Sequence, residues 1–145
     1  MSQASQVMTR SLITISPEAS ATEAIRTLLA NNISGAPVVN SDGDLIGIIS
    51  EFKLLNVVIS ERTASQLVSE LMTTDVITVD EETPLCDVAH AFVSLRIRRL
   101  PVLKDGRLVG QISRRDVLHC VINEEGDDEI NYRKELVHPA ASALG

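Results

Sequence analysis

The residue types best suited to chemistry in this chain stand together at Ser113-Arg114-Arg115-Asp116. A serine hydroxyl and a carboxylate three residues apart fall one helical turn from each other. If a helix opens at Ser113, its free N–H groups and positive dipole end suit a phosphate. Asp116 can accept hydrogen bonds from the 2′- and 3′-hydroxyls of a ribose, as an acidic residue does in dinucleotide folds. Arg115 can add charge to a phosphate. The same residues also have a plain structural use, Ser113 as an N-cap and Asp116 as a favourable charge in the first helical turn. The local pattern leaves both uses open.

The phrase occurs twice. Gly110 to Leu118 reads GQISRRDVL, and Gly47 to Leu55 reads GIISEFKLL, with Lys53 where the later copy has Asp116. Met8-Thr9 recurs as Met72-Thr73, Ile13-Thr14-Ile15 as Ile77-Thr78-Val79, and Ile33-Ser34-Gly35-Ala36-Pro37-Val38-Val39 as Ile97-Arg98-Arg99-Leu100-Pro101-Val102-Leu103. These pairs share an offset of 64 residues, which falls to 63 after the turn Asn40-Ser41-Asp42-Gly43, one residue longer than Lys104-Asp105-Gly106. One register with a single slip inside a glycine turn marks two copies of one supersecondary unit.

Each copy has the same grammar. A short β-rich stretch (Leu12 to Ile15; Val76 to Val79) precedes a helix, whose start is signalled by Ser20 with Glu23 or by Thr83 with Pro84 at the first helical position. Ile25, Leu28, Leu29 and Ile33 keep helical spacing in the first copy, as do Val88, Phe92 and Leu95 in the second. Pro-Val, an Asp-Gly turn and Leu-x-Gly-x-Ile then read as a β-hairpin, followed by a second helix from Ser50 or Ser113. The fold class is thus α/β (α+β), two β-α-β-β-α repeats packed with pseudo-twofold symmetry, because a unit of about 50 residues is marginal alone. The expected divisions are repeat 1 over 1–60, repeat 2 over 61–123 and an acidic tail over 124–145, mobile at its extremities. Residues 56–70 are expected to extend a packed helix between the copies.

Met-Thr, Ile-Thr-Ile, a helix, Pro-Val-Val, Asp-Gly and Leu-x-Gly-x-Ile-Ser-x-x-Asp, twice in register over about residues 7 to 122, resemble the cystathionine β-synthase (CBS) domain in its tandem form, the Bateman module. The resemblance implies a non-catalytic regulatory sensor of adenosyl compounds held in clefts between the repeats, and a homodimer. It implies an AMP, ADP or ATP ligand whose site at Ser113, Arg115 and Asp116 is completed from the first repeat by Thr14 and Ala19 flanking the base and by Ile33, Ser34, Gly35 and Pro37. Small residues at Ser34-Gly35-Ala36 also permit a ring to approach the backbone closely.

The mirror cleft differs. Lys53 is a donor without acceptor capacity and cannot take ribose protons as Asp116 can. Its other residues become Thr78, Thr83, Ile97, Arg98 and Arg99. One adenosine-type ligand per chain is therefore expected, in the Asp116 cleft, with the Lys53 cleft empty or reduced to an anion site. Arg98 and Arg99 either reach phosphate across a shared central space or are surface charges ahead of a strand.

Other chemistries lack carriers. The formal charge of −7 disfavours nucleic acid and anionic membranes, although Arg96, Arg98, Arg99, Arg107, Arg114 and Arg115 cluster within twenty residues and keep RNA or DNA binding as a minor reading. No stretch approaches the roughly 20 apolar residues that span a bilayer, and MSQASQVMTRS lacks a signal-peptide core. A cytoplasmic protein is expected. Cys86 and Cys120 read as packing residues, and His90, His119 and His138 are scattered without metal-ligand spacing. No metal is expected. The rival to sensing is a protein-interaction scaffold with degenerate clefts; in either role the regulated partner is unidentified.

Overall fold

The computed structural model describes residues 2–60 and 65–124. After a short helix α1 (Ala4–Val7), the first repeat runs α2 (Ala21–Ala30), β1 (Gly35–Val39), β2 (Leu45–Ser50) and α3 (Glu51–Ser60). The second runs α4 (Val68–Leu71), β3 (Val79–Asp80), α5 (Leu85–Leu95), β4 (Arg99–Lys104), β5 (Arg107–Ser113) and α6 (Arg114–Glu124). The acidic tail beyond Glu124 lies outside the described residues.

The hairpins set the geometry. β1 pairs antiparallel with β2 and β4 with β5, and each pairing carries a register shift at the same place, Val38/Val39 and Val102/Leu103. Lys104 and Arg107 close a two-residue loop in which Asp105 and Gly106 both take positive φ, 51° and 81°, the type I′ arrangement that matches strand twist. The longer first loop is organised by Asn40, whose Oδ1 accepts from the N–H groups of Asp42 and Asp44 at 3.0 and 2.9 Å. That side chain absorbs the extra residue, so the one-residue slip in sequence leaves the strand register alike in both repeats.

The helices begin where local chemistry allows. Ser20 caps α2 by accepting from the Glu23 N–H at 3.1 Å. In the second copy the helix starts one position later than expected, with Pro84 as N-cap, because Thr83 Oγ1 instead accepts from the Asp80 N–H at 3.1 Å. α3 carries the expected helical extension only to Ser60: residues 61–64 are outside the described set, residues 65–67 are not helical, Leu67 being bridged to Ser20, and α4 is a separate short helix.

The expected lead strands are much reduced. Ile15 makes one parallel bridge to Val38, and β3 is two residues long beside β4. The reason lies further upstream. Thr9 is bridged to Gln111 in the second repeat, through N–H···O bonds of 2.9 and 3.0 Å, so residues 11–14 must span from one repeat to the other instead of lying along a strand. Thr73 makes the same exchange with Ile48 of the first repeat at 2.8 and 2.9 Å.

Each lead-in segment therefore belongs to the opposite core. Ala4 and Met8 pack with Leu85, Val88, Phe92, Leu100, Val102 and Ile112, while Val68 and Met72 join Ile15, Ala24, Leu28, Val38, Ile49 and Leu54. Two small cores are stitched together by this reciprocal exchange, which answers the burial problem a lone repeat faces.

Candidate functional site: a cleft between the repeats

Ser113 ends β5 and Asp116 sits in the first turn of α6. The Ser113 N–H donates to Asp116 Oδ2 at 2.8 Å and the Asp116 N–H donates to Ser113 Oγ at 3.2 Å, a closed capping box. A carboxylate has about four acceptor positions and the box uses one of them. Capping and ligand binding are thus compatible, since the rest of the half-buried carboxylate remains available. In the first repeat only half of the box survives: the Lys53 N–H donates to Ser50 Oγ at 3.4 Å, and the lysine side chain cannot accept in return.

Asp116 and Ser113 line a cavity of about 220 Å³ together with Gln111. The opposite wall is Ile33, Gly35 and Pro37, and the crossing segment adds Thr9, Ser11, Leu12 and Ile13. Of the residues expected in this site, Ile33, Gly35, Pro37, Ser113 and Asp116 are brought together. Thr14 and Ala19 line neither this cavity nor its neighbour: Thr14 is exposed and Ala19 packs on the first core, where its carbonyl accepts from the Val68 N–H at 2.8 Å. Arg115 is exposed on α6 and also lines neither cavity. Thr9, Ser11, Leu12, Ile13 and Gln111 are cleft residues that the repeat pattern does not single out; the recurring Met-Thr pair, whose threonine bridges to the other repeat, was the available signal.

A larger cavity of about 430 Å³ adjoins it and shares Gly35, Pro37, Arg99 and Gln111. It lies on the Ser50 side and adds Ser34, Ile97 and Arg98, with Glu51, Phe52 and Leu55 from α3. Lys53, Thr78 and Thr83 do not line it. Arg99 stands between the two spaces. Its Nη2 donates to Ser34 Oγ at 2.9 Å and its Nη1 to the Gly35 carbonyl at 3.2 Å. Burial, and then the neighbouring Arg98, lower its pKa from the usual guanidinium value, partly offset by Glu51. Arg114 is occupied elsewhere, donating to the Ile97 carbonyl at 3.2 Å.

The family pattern described as the CBS domain matches this chain twice, over residues 4–60 and 68–123. The chain belongs to the CBS domain family. Among its relatives, an uncharacterized protein of Methanocaldococcus jannaschii is 35% identical over 113 residues, covering 78% of this chain and 40% of that protein. The chloroplastic CBS domain-containing protein CBSX1 of Arabidopsis thaliana is 31% identical over 144 residues, 78% of this chain and 61% of the relative. A CBS domain-containing protein of Dictyostelium discoideum is 33% identical over 129 residues, 81% and 89%. The chain thus spans well under two thirds of the first of these relatives and somewhat under two thirds of the second.

Solved CBS pairs share the fold. CBSX2 in complex with AMP superposes with a TM-score of 0.76 at 28% identity, covering 83% of this chain and 96% of that one. The CBS domain pair of protein MJ0100, in complex with 5′-methylthioadenosine and S-adenosyl-L-methionine, gives 0.72 at 26% identity, covering 86% and 98%. Among the described residues no helix is long and apolar enough to cross a membrane, and no group of three or more His, Cys, Asp or Glu is placed to hold a metal ion.

Proposed function

We propose that this CBS pair is a non-catalytic regulatory module that binds one adenine nucleotide, AMP, ADP or ATP, in the Asp116 cleft, and signals by a change of conformation or dimer packing to a cytoplasmic protein partner. The observation that carries this reading is the Ser113–Asp116 box at the mouth of a cavity walled by the opposite repeat. The carboxylate has acceptors left for ribose hydroxyls, the helix start and Arg99 are suited to phosphate, and Ile33 and Pro37 offer apolar surface to a base. The adenosyl ligands of CBSX2 and of the MJ0100 pair support the ligand class.

The homodimer has its own support. α3 and α6 each leave an apolar stripe uncovered, Leu55 and Ile59 on one and their counterparts Leu118 and Ile122 on the other, and Phe52 adds to the first. Ile59 is 81% and Phe52 70% exposed, which is more apolar surface than a lone module is expected to leave bare. Two copies meeting through these matched stripes would bury both.

A scaffold with degenerate clefts is favoured by one observation: Asp116 and Arg99 are already hydrogen-bonded within the chain. A thermal-shift screen with AMP, ADP, ATP, S-adenosylmethionine and NAD separates the readings, because a ligand at 100 times its dissociation constant adds about 2.7 kcal/mol. Stabilisation by one adenosine compound, followed by calorimetry giving one site per chain, is the expected result. No response at millimolar ligand leaves the scaffold.

A further inference from the structure

Arg99 opens β4 of the second repeat, yet its guanidinium is held by the first. Its two hydrogen bonds go to neutral acceptors, Ser34 Oγ and the Gly35 carbonyl, and among the described residues no carboxylate lies within ion-pair distance of it. Gly35 is its counterpart 64 residues earlier. A Cβ on Gly35 would stand 3.2 Å from Arg99 Nη1 and 3.1 Å from the Ile49 carbonyl. The repeat is therefore broken at this pair: one copy carries a long cationic arm, and the other a gap that receives it.

The arm also divides the space. Arg99 and Gly35 line both cavities, while Asp116 lines only the smaller of the two and Ser34 only the larger. A cation bonded to neutral oxygens gains by exchanging them for a phosphate, since an arginine–phosphate pair is charged on both sides and can form two parallel hydrogen bonds. Resting on the reading that an adenine nucleotide enters the cleft, we propose that Arg99 is a charge-selective latch: an incoming phosphate draws the guanidinium off Ser34 and Gly35 and joins the two cavities into one site holding a single ligand. A nucleoside without phosphate leaves the latch shut and must fit the smaller cavity alone.

Titration calorimetry of the full chain with AMP and with adenosine tests this on the wild type, Arg99→Gln and Ser34→Ala. The wild type is expected to bind one AMP per chain, more tightly than adenosine. Arg99→Gln should weaken AMP about tenfold or more, towards the affinity for adenosine, and change adenosine far less than AMP. Ser34→Ala removes one bond that holds the latch shut and should tighten AMP about two- to tenfold, again without effect on adenosine. Equal losses for AMP and adenosine in Arg99→Gln would make Arg99 a structural strut, and weaker AMP binding in Ser34→Ala would make Ser34 a direct contact; either overturns the latch. Two AMP per chain overturns it as well. If AMP binds equally to all three proteins, the latch falls and the nucleotide site stands. If the wild type binds neither compound, the nucleotide reading itself falls.

Discussion

Gly110 faces Met8 so closely that any Cβ at that position would collide with the Met8 Sδ and press against the Thr9 carbonyl oxygen at 3.1 Å. Gly47 stands in the same relation to Met72, where a Cβ would meet Sδ at 2.6 Å and the Thr73 carbonyl at 2.9 Å. The glycine of each Leu-x-Gly-x-Ile strand is thus the socket for the methionine of the exchanged segment, and the backbone of the following threonine seals it. Neither glycine has positive φ. Close approach, not backbone conformation, requires them.

Gly110→Ala and Gly47→Ala should each destabilise the fold by about 1–3 kcal/mol, the usual range for overpacking a filled interior. A methionine can swing away, but the threonine carbonyl is fixed by its bridge to Gln111 or Ile48. Met8→Ala should therefore rescue Gly110→Ala only in part, a coupling that a double-mutant cycle read by urea denaturation will measure. Full additivity of the two changes would remove the socket.

The sequence carries the repeat, the Asp-Gly hairpins and the Ser20 and Ser113 caps openly, because each is written in local chemistry at fixed spacing. The exchange of lead-in segments is not local. Ala4, Val7 and Met8 make too short an apolar run to declare a partner, and only the folded chain brings them to Leu85 and Ile112. The cleft wall from Thr9 to Ile13 follows from that exchange, so it was hidden for the same reason. Thr14 is exposed at the end of the crossing, and Ala19 lies past it, where the chain has already turned onto the first core. Ile33, Gly35, Pro37, Ser113 and Asp116 were legible because they lie in or next to the hairpins whose register the repeat fixes.

Asn40 gives a second test of how the repeats stay equivalent. Its side-chain oxygen holds two N–H groups of the longer turn, at Asp42 and Asp44. Asn40→Ala should cost about 1 kcal/mol, while shortening the loop to the Lys104-Asp105-Gly106 form should be tolerated, since that loop already closes an equivalent hairpin. Denaturant midpoints for both variants provide the measurement; a deletion costing more than Asn40→Ala would contradict the equivalence.

The exposed stripes on α3 and α6 predict assembly. Ile59→Glu and Ile122→Glu place a charge at corresponding positions on the two faces, where burial against a second copy would desolvate it. Either change should shift the chain from dimer to monomer in light scattering coupled to size exclusion, with little loss of monomer stability because both side chains are at least half exposed. A wild-type chain that is already monomeric at high micromolar concentration would exclude the interface.

The difference between Asp116 and Lys53 can be tested in both directions. Asp116→Ala removes the acceptor for the Ser113 N–H, costing about 1 kcal/mol of stability, and it should weaken nucleotide binding by a further 1.5–3 kcal/mol, about the value of hydrogen bonds to a charged group. Lys53→Asp restores to α3 the reciprocal half of the box that Ser50 already offers, and should stabilise the chain by about 0.5–1 kcal/mol. It should not create a second nucleotide site, because the cavity on that side is lined by Arg98, which the Asp116 cleft lacks, and by Arg99, which stands where the repeat has Gly35. Calorimetry on Lys53→Asp that still gives one ligand per chain would assign the asymmetry to those arginines together with the lost carboxylate. Two sites would assign it to the carboxylate alone.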